Sequence, residues 1–494
     1  MSGLDLPETV DLSDVAEFSD TVDVLVLGAG MGGCCAAVEA AEAGARVLVL
    51  ERSAAAGGTT CMAGGHFYLG GGTVVQRATG HHDTAEEMEK YITAVSRDPE
   101  PDKIHAYCHD SVEHCDWLEA LGFEFERSYY PEKAVIQPNT EGLMYTGNEK
   151  VWPFKDLAVP APRGHKVPVP GDTGGAGMVI ELLVKRLGEL NVPIRYEVGG
   201  RKLIVDGDRV VGARWRSADG TEGSIRADSV IIGAGGFVMN PDMVAQYTPQ
   251  LAEKPFTLGS TYDDGLGIRM GASVGAQLKH MDSAFLTAPV YPPSILLTGI
   301  IVNKEGTRFV AEDSYHSRTS GFVMDQTDHA AYLIVDEAHM ERPTMPLIEF
   351  IDGWETVDEM AADLGLDPQV LGATLDRYNH YAAKGEDPDF HKSEEFLAAQ
   401  DTGPWAAFNL SLGKALYAGF TIGGMATTLD GQVRREDGSV IDGLYAVGAC
   451  AANIAQDGKG YASGTQLGEG SYFGRRAGRH AAAAVSATPA VHAE

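Results

Sequence analysis

DVLVLGAGMGGCCAAVEAAEAGARVLVLE, residues 23–51, is the stretch whose reading decides the fold. Val24 to Leu27 is an unbroken apolar run, the pattern of a strand buried on both faces. The chain then breaks at Gly28-x-Gly30-x-x-Gly33, continues through Cys34, Ala36, Ala37, Ala40 and Ala41, and returns to an apolar run, Val47 to Leu50, before the carboxylate of Glu51. The three glycines act mechanically. Gly28 makes the tight turn, Gly30 lets backbone approach a diphosphate, and Gly33 lets a helix lie close on the sheet. The diphosphate then sits at the positive end of that helix, and the acid ending the second strand accepts hydrogen bonds from a ribose. Strand, glycines, small-residue helix, second strand and terminal acid, in that order, specify a βαβ unit that binds a dinucleotide. A purely structural glycine turn leaves Glu51 unexplained.

Outward from this unit, composition bounds the rest. At 494 residues the chain exceeds one ordinary core, so two domains are expected. The apolar share, 44%, is that of a globular protein, and no apolar stretch approaches bilayer-spanning length. The N-terminal MSGLDLPETVDLSDVAEFSD is acidic, without the basic region and apolar core of a secretion signal, and a cytoplasmic protein is expected. Cys34, Cys35, Cys61, Cys108, Cys115 and Cys450 include no CxxC pair and are too few for a disulfide framework, so reduced thiols are expected. A formal charge of −32 argues against nucleic acid and anionic membranes as partners. It offers anionic substrates no general attraction either, leaving them dependent on a local basic pocket.

After Glu51 the chain is glycine-dense to Gly72, with hydroxyls at Thr59 and Thr60. Such a loop supplies free backbone N–H groups and little bulk beside a flat ring or a phosphate. Residues 83–122 read as helical, opened by a capping box at Thr84 and Glu87 and closed by Gly122. His105 and His109 lie one helical turn apart near Cys108, His114 and Cys115; with no open-site carboxylate constellation nearby, a solvated helix face rather than a metal site is expected. The Pro- and Gly-rich stretch 131–175 reads as a long ordered loop over the bound ligand, in which Arg163 and His165 either face the active site or are ion-paired. Phe67 and Tyr68 either wall an apolar pocket or belong to the core. A second buried strand ends in glycines at 229–237 and a third at 443–450, so three strand ends are expected to converge on one ligand, in a binding domain discontinuous in sequence. The region between Thr261–Gly271 and Thr421–Met425 has a different texture, with two helices expected in TVDEMAADLG and DPQVLGATLDRYNHYAAKG. Residues 481–494 are low in complexity and expected to fray. There are no internal repeats.

GAGMGG with Glu51, the Gly58-Thr59-Thr60 loop, Asp264-Gly265, VNKEGTRFVAE (302–312), TLDRYNHYAAKGEDPDF (374–390), GLYAVGAC and the terminal Leu467-Gly468 together resemble the flavoprotein superfamily of fumarate reductase and succinate dehydrogenase, which also holds the 3-ketosteroid dehydrogenases. The resemblance implies an α/β fold: a discontinuous Rossmann-like FAD-binding domain (residues 1–275 and 412–494) with an inserted α+β catalytic cap domain (276–411). It implies FAD held by Gly28, Ala29, Gly30, Gly33, Glu51, Arg52, Gly58, Thr59, Thr60, Gly64, Gly65, Ala234, Asp264, Gly448, Gln466 and Leu467. Glu51 would take the adenosine ribose, and the backbone near Gln466 and Leu467 the pyrimidine edge of the ring. Succinate dehydrogenases carry a flavin-linked His in the glycine loop; this chain has none there, His66 falling too late, and noncovalent FAD is expected. The superfamily Glu after GLYAxG is Ala449 here.

Dicarboxylate-reducing members clamp two carboxylates with arginines and a histidine, because planar guanidinium matches carboxylate bidentately. This chain has Tyr315 near the position expected for their catalytic arginine, no His before the glycines of TIGGM, and no Arg before Leu467-Gly468. Tyr315, Tyr461 and Ser463 instead resemble the 3-ketosteroid Δ4-(5α)-dehydrogenases, whose pattern is a cap tyrosine plus Tyr-x-Ser in the last flavin segment. The Tyr-Pro-Gly-Pro-Gly of the Δ1 enzymes is absent. The resemblance implies that Tyr461 donates to the C3 ketone oxygen, that Ser463 takes the C4 proton with Tyr315 behind it, and that hydride passes to flavin N5. The expected partners are a small apolar ketone, a steroid, and a separate electron acceptor, with no metal. The alternatives are a Δ1-dehydrogenase or a fumarate-reductase-like enone or enoate oxidoreductase, and more remotely a non-catalytic flavin redox sensor. Arg308 is expected to hold the cap together by a salt bridge or backbone hydrogen bonds.

Overall fold

The structure, a computed structural model, describes residues 4–135, 137–171, 173–252 and 256–487. Strand β1 (Asp20–Leu27), helix α1 (Met31–Glu42) and strand β2 (Val47–Leu50) follow the glycine pattern, and β1 and β2 pair in parallel with Leu27 opposite Leu50. Gly28 adopts φ +106°, and a Cβ on Gly33 would stand 2.0 Å from the Gly28 carbonyl oxygen, so only glycine lets α1 lie this close.

Strand β3 (His66–Tyr68) follows the glycine loop, and helices α2 (Ala85–Val95), α3 (Pro101–His109) and α4 (Ser111–Ala120) fill residues 83–122. The capping box is only half made. Thr84 accepts from the Glu87 N–H, but the Glu87 carboxylate is taken by Lys90 and by the Val159 N–H. The stretch read as a loop also contains strand β4 (Gly164–Lys166), which pairs with β3 and with Leu143–Met144. Strands of two and three residues between prolines are too short to show a period, so they are indistinguishable from loop in the sequence.

Helix α5 (Gly175–Glu189) leads into the meander β5 (Val198–Asp206), β6 (Arg209–Ser217) and β7 (Glu222–Ile232), whose last strand returns parallel to β1 with Ile232 opposite Leu27. Next come β8 (Ala284–Thr287), β9 (Ile300–Asn303), α6 (His316–Val323), β10 (Ala331–Asp336), β11 (Glu349–Trp354), α7 (Val357–Leu364), α8 (Pro368–Ala382) and β12 (Trp405–Asn409). The order β9-β10-β12-β11 makes an antiparallel sheet. Its alternation is read by both faces: Ile300 and Val302 pack with Leu371 and Leu375 of α8, while Ile301 joins Leu333, Val335 and Phe408 in a second core. Arg308, as expected, ties this region together through Glu312 and Asp387.

Strand β13 (Ala418–Thr421) pairs with β8, and β14 (Val440–Ala446) lies parallel to β7 with Ala446 opposite Ile232. Helix α9 (Thr465–Ala487) closes the chain against α1, where a Cβ on Gly474 or Gly478 would strike the backbone of Gly32 or Ala36. The tail expected to fray continues this helix through Ala487; residues 488–494 lie outside the described residues. Apolar side chains cover both faces of β1, β2, β7 and β14, which explains their unbroken apolar runs. The fold is thus the expected Rossmann-like α/β architecture. Among the described residues no helix is long and apolar enough to cross a membrane, and all six cysteines are free thiols.

Candidate active site

Three parallel strands, β1, β7 and β14, end side by side at Leu27, Ile232 and Ala446, and their carboxyl ends open into a cavity of about 460 Å³. A ligand is held at such a point because the strand ends leave a crevice between flanking loops. The N-terminus of α1 faces it with no cap from its own Gly30, and the Met31 N–H reaches Thr60 Oγ1 at 3.2 Å. A Cβ added at Gly30 would meet Thr60 Oγ1 and the Gly57 carbonyl only at 3.7 and 3.8 Å. The protein itself would tolerate that Cβ; it is the cavity's occupant that needs the space. The buried Glu51 accepts the Ala29 N–H on one oxygen (2.8 Å) and the Ser53 N–H on the other (2.7 Å), so its carboxylate is fixed at the cavity wall. Arg52 is held by Asp264 at 2.6 Å and lies 4.2 Å over the Tyr262 ring. A helix N-terminus, a bare glycine and an oriented acid are what a dinucleotide requires, and the residues present fit one.

Of the expected cofactor residues, Gly28, Gly30, Glu51, Arg52, Gly58, Thr59, Thr60, Gly64, Gly65, Ala234, Asp264, Gly448, Gln466 and Leu467 line the cavity. Ala29 and Gly33 do not. Ala29 is sealed beneath the turn with its N–H on Glu51, and Gly33 is spent on helix–sheet contact. Asp263, unremarked beside Asp264 in the sequence, also lines it and receives the Thr59 hydroxyl; burial pushes its carboxyl up to about 6. Adjacent acids in a DDG turn give no sign which one faces inward.

The other end of the cavity is apolar. Phe285 of β8 stacks on Phe420 of β13 at 4.7 Å between centroids, and Tyr461 packs edge-on to both, at 5.0 and 5.7 Å. Val135, Leu258, Pro289, Met345, Leu347 and Ala418 extend the lining. Among the described residues the Tyr461 hydroxyl receives only a long contact, 3.4 Å, from the Gln466 N–H, and burial raises its phenol well above the ordinary range. It therefore keeps its proton and is free to donate. Ser463 lines the same wall, and its Oγ lies 2.6 Å from the hydroxyl of Tyr315, which sits behind it, buried and off the cavity surface. Burial raises the Tyr315 phenol as well, against the pull of the Ser463 hydrogen bond.

Tyr315 caps α6 and Ser463 precedes α9, so something must hold the two segments in register. That residue is Asn148. Fully buried, it accepts the Tyr315 N–H (2.9 Å), donates to the Lys459 carbonyl (3.5 Å) and donates its own N–H to the Tyr91 hydroxyl (2.8 Å), while the Ser463 N–H reaches the nearby Thr146 carbonyl (2.9 Å). Nothing in the sequence marks it, because a single Asn in a Gly- and Pro-rich stretch reads as a turn residue.

Other residues singled out from sequence lie elsewhere. Arg163 is buried against Asp83 and His165 against Thr73, so both are ion-paired or hydrogen-bonded struts rather than active-site groups. Phe67 and Tyr68 belong to the core, with the Tyr68 hydroxyl on buried Glu149. The histidines of α3 do have a carboxylate beside them, contrary to expectation: Glu89 of α2 lies 3.1 Å from both His105 and His109, and the three make one cluster of possible metal ligands. Cys108 and Cys115 are buried instead, and His114 turns to Ser471 and Arg475, so the five do not assemble into one metal cluster. Among the described residues, Arg52 at the Glu51 end is the only guanidinium lining the cavity.

Residues 23–467 match the FAD binding domain family, and the chain belongs to it, within the flavoprotein superfamily of fumarate reductase and succinate dehydrogenase. It superposes with a TM-score of 0.90 and 38% identity on a 3-ketosteroid-Δ4-(5α)-dehydrogenase from Rhodococcus jostii RHA1 in complex with 4-androstene-3,17-dione, over 97% of this chain and 99% of that one. It is 27% identical to a 3-oxo-5-alpha-steroid 4-dehydrogenase of Comamonas testosteroni, covering 89% of this chain and 94% of the relative. It is equally 27% identical to a fumarate reductase (cytochrome) of Shewanella frigidimarina, covering 94% and 77%. The protein is an FAD-dependent oxidoreductase.

Proposed function

We propose that this protein is a 3-ketosteroid dehydrogenase that introduces the C4–C5 double bond into 3-keto-5α-steroids, with FAD bound noncovalently and residues 276–411 acting as the catalytic cap. The observation that carries the reading is the Tyr315–Ser463 hydrogen bond beside a freely donating Tyr461 in an apolar chamber. The Rhodococcus neighbour, with its bound ketosteroid, supports the substrate class.

When bound, FAD supplies the two-electron acceptor for the hydride leaving C5. Tyr461 donates a hydrogen bond to the C3 oxygen and stabilises the negative charge that grows there as the C4 proton leaves. Its ring is clamped by Phe285 and Phe420, so the donor is aimed before the substrate arrives. Ser463 takes the C4 proton and passes its own to Tyr315, whose proton moves on towards solvent; serine alone is too weak a base, which is why the pair is needed. The substrate thus loses one proton and one hydride and gains one double bond. Phe285, Phe420 and Leu258 give the chamber an apolar wall.

The absence of any guanidinium at this end, among the described residues, disfavours a dicarboxylate substrate, which would need bidentate clamps. The test is anaerobic mixing of the flavin-loaded protein with 5α-androstane-3,17-dione. Bleaching of the flavin with formation of the 4-ene-3-ketone is expected. A 1-ene product would reassign the regiochemistry, and a flavin that stays oxidised would overturn the steroid reading.

A further inference from the structure

The substrate end of the cavity is layered along the β8/β13 ladder. Phe285 opposite Phe420 forms the inner layer against Tyr461; Thr287 opposite Ala418 forms the next, one pleat repeat or roughly 7 Å further out. Ala418 also pairs with Phe256, and Leu347 of the lining accepts the Leu416 N–H; Phe256 and Leu416 are 57% and 50% exposed, so this side of the cavity lies towards the surface. A rigid ligand that enters with its reactive ketone first therefore keeps its far end beside Thr287. Thr287 stands in the lining beside the apolar Phe285, Pro289, Met345, Leu347 and Ala418.

Thr287 is 7% exposed, and its hydroxyl is paired with Nδ1 of His316, the first residue of α6. His316 is 4% exposed and its Nε2 has no partner among the described residues. Burial pushes the imidazole down to about 3, so the ring is neutral and carries one proton. That proton is assigned by its cost. On Nε2 it would be a buried donor with nothing to bond, whereas an unfilled acceptor is tolerated more readily. It therefore sits on Nδ1 and is donated to Thr287 Oγ1, which leaves the threonine O–H free to donate into the cavity.

We propose that Thr287, oriented by His316, is a second hydrogen-bond subsite that recognises an oxygen on the D-ring end of the steroid, so that the enzyme selects 3-ketosteroids oxygenated there over those whose D ring is bare. This rests on the steroid reading above and adds the substrate's second functional group to it. A threonine in an otherwise apolar layer has a use when the ligand brings an acceptor to that layer, since an apolar ligand would bury the hydroxyl unsatisfied.

The test uses ligands that cannot turn over. Oxidised holoenzyme is titrated with 4-androstene-3,17-dione, its 17β-hydroxy analogue and 4-androsten-3-one, following the perturbation of the flavin spectrum. The wild type is expected to bind both oxygenated steroids up to about tenfold more tightly than the bare one, the reach of one neutral hydrogen bond. Thr287→Val should bring that ratio close to one and Thr287→Ser should retain it. A wild-type ratio near one, or a ratio that survives Thr287→Val, overturns the subsite while leaving the steroid reading in place. The wild-type comparison decides even where the valine variant is unstable. If no steroid perturbs the flavin, the steroid reading fails and the subsite falls with it.

Discussion

Replacing Tyr461 by phenylalanine removes one oxygen from the chamber and little else. The ring is held by Phe285 at 5.0 Å and Phe420 at 5.7 Å, contacts that a phenyl group keeps. The hydroxyl's one partner among the described residues is the Gln466 N–H at 3.4 Å, so its loss should cost the fold less than about 1 kcal/mol. The effect on chemistry is much larger. A preorganised donor aimed at a developing oxyanion contributes roughly 10²–10³ in rate, about 2.7–4 kcal/mol, while its bond to the neutral ketone of the ground state contributes far less. Single-turnover flavin reduction by 5α-androstane-3,17-dione, followed anaerobically by stopped flow, should therefore slow by roughly 10²–10³-fold, with the steroid dissociation constant rising less than about tenfold. The melting temperature and the oxidised flavin spectrum should match the wild type. A reduction rate within threefold of wild type, at full flavin occupancy, would refute the assignment of Tyr461 as the ketone's donor.

If Ser463 and Tyr315 pass one proton along their 2.6 Å bond, they act as a unit. Ser463→Ala and Tyr315→Phe should each slow flavin reduction, and the double variant should be no slower than the worse single; additive losses would separate their roles. Glu469 offers a pH test. It is buried, accepts the Ile454 and Ala455 N–H groups, and burial raises its carboxyl to about 7. Because the folded protein binds this proton more tightly than the unfolded chain, the contribution to stability is complete below the unfolded carboxylate range and is lost as pH rises through 7. Glu469→Gln, which cannot ionise, should gain about 3 kcal/mol on the wild type between pH 4.5 and pH 8 in denaturant unfolding. Parallel stability curves would show that the carboxyl titrates normally.

The sequence by itself determined the dinucleotide-binding unit and the flavoprotein fold around it. Those follow from local rules. An apolar run buried on both faces, glycines at fixed offsets and an acid at a strand end act through neighbours a few residues away, so their order along the chain is nearly their order in space. Tyr461 and Ser463 stand two residues apart on one segment, so their nearness is local as well. The tertiary structure decided everything that depends on which distant segments meet. It joined Tyr315 to Ser463 across 148 positions and supplied Asn148, from a third segment, as the brace between them. It showed that Arg163 and His165 serve the core, that Glu89 answers the histidines of α3, and that Ala29 and Gly33 act from beneath the cavity wall. Thr287 is the sharpest case: in the sequence it is one threonine in an apolar strand. Only the ladder with Ala418 and the buried imidazole of His316 make it a donor, because a hydrogen bond is defined by where two groups end up and not by how far apart they begin.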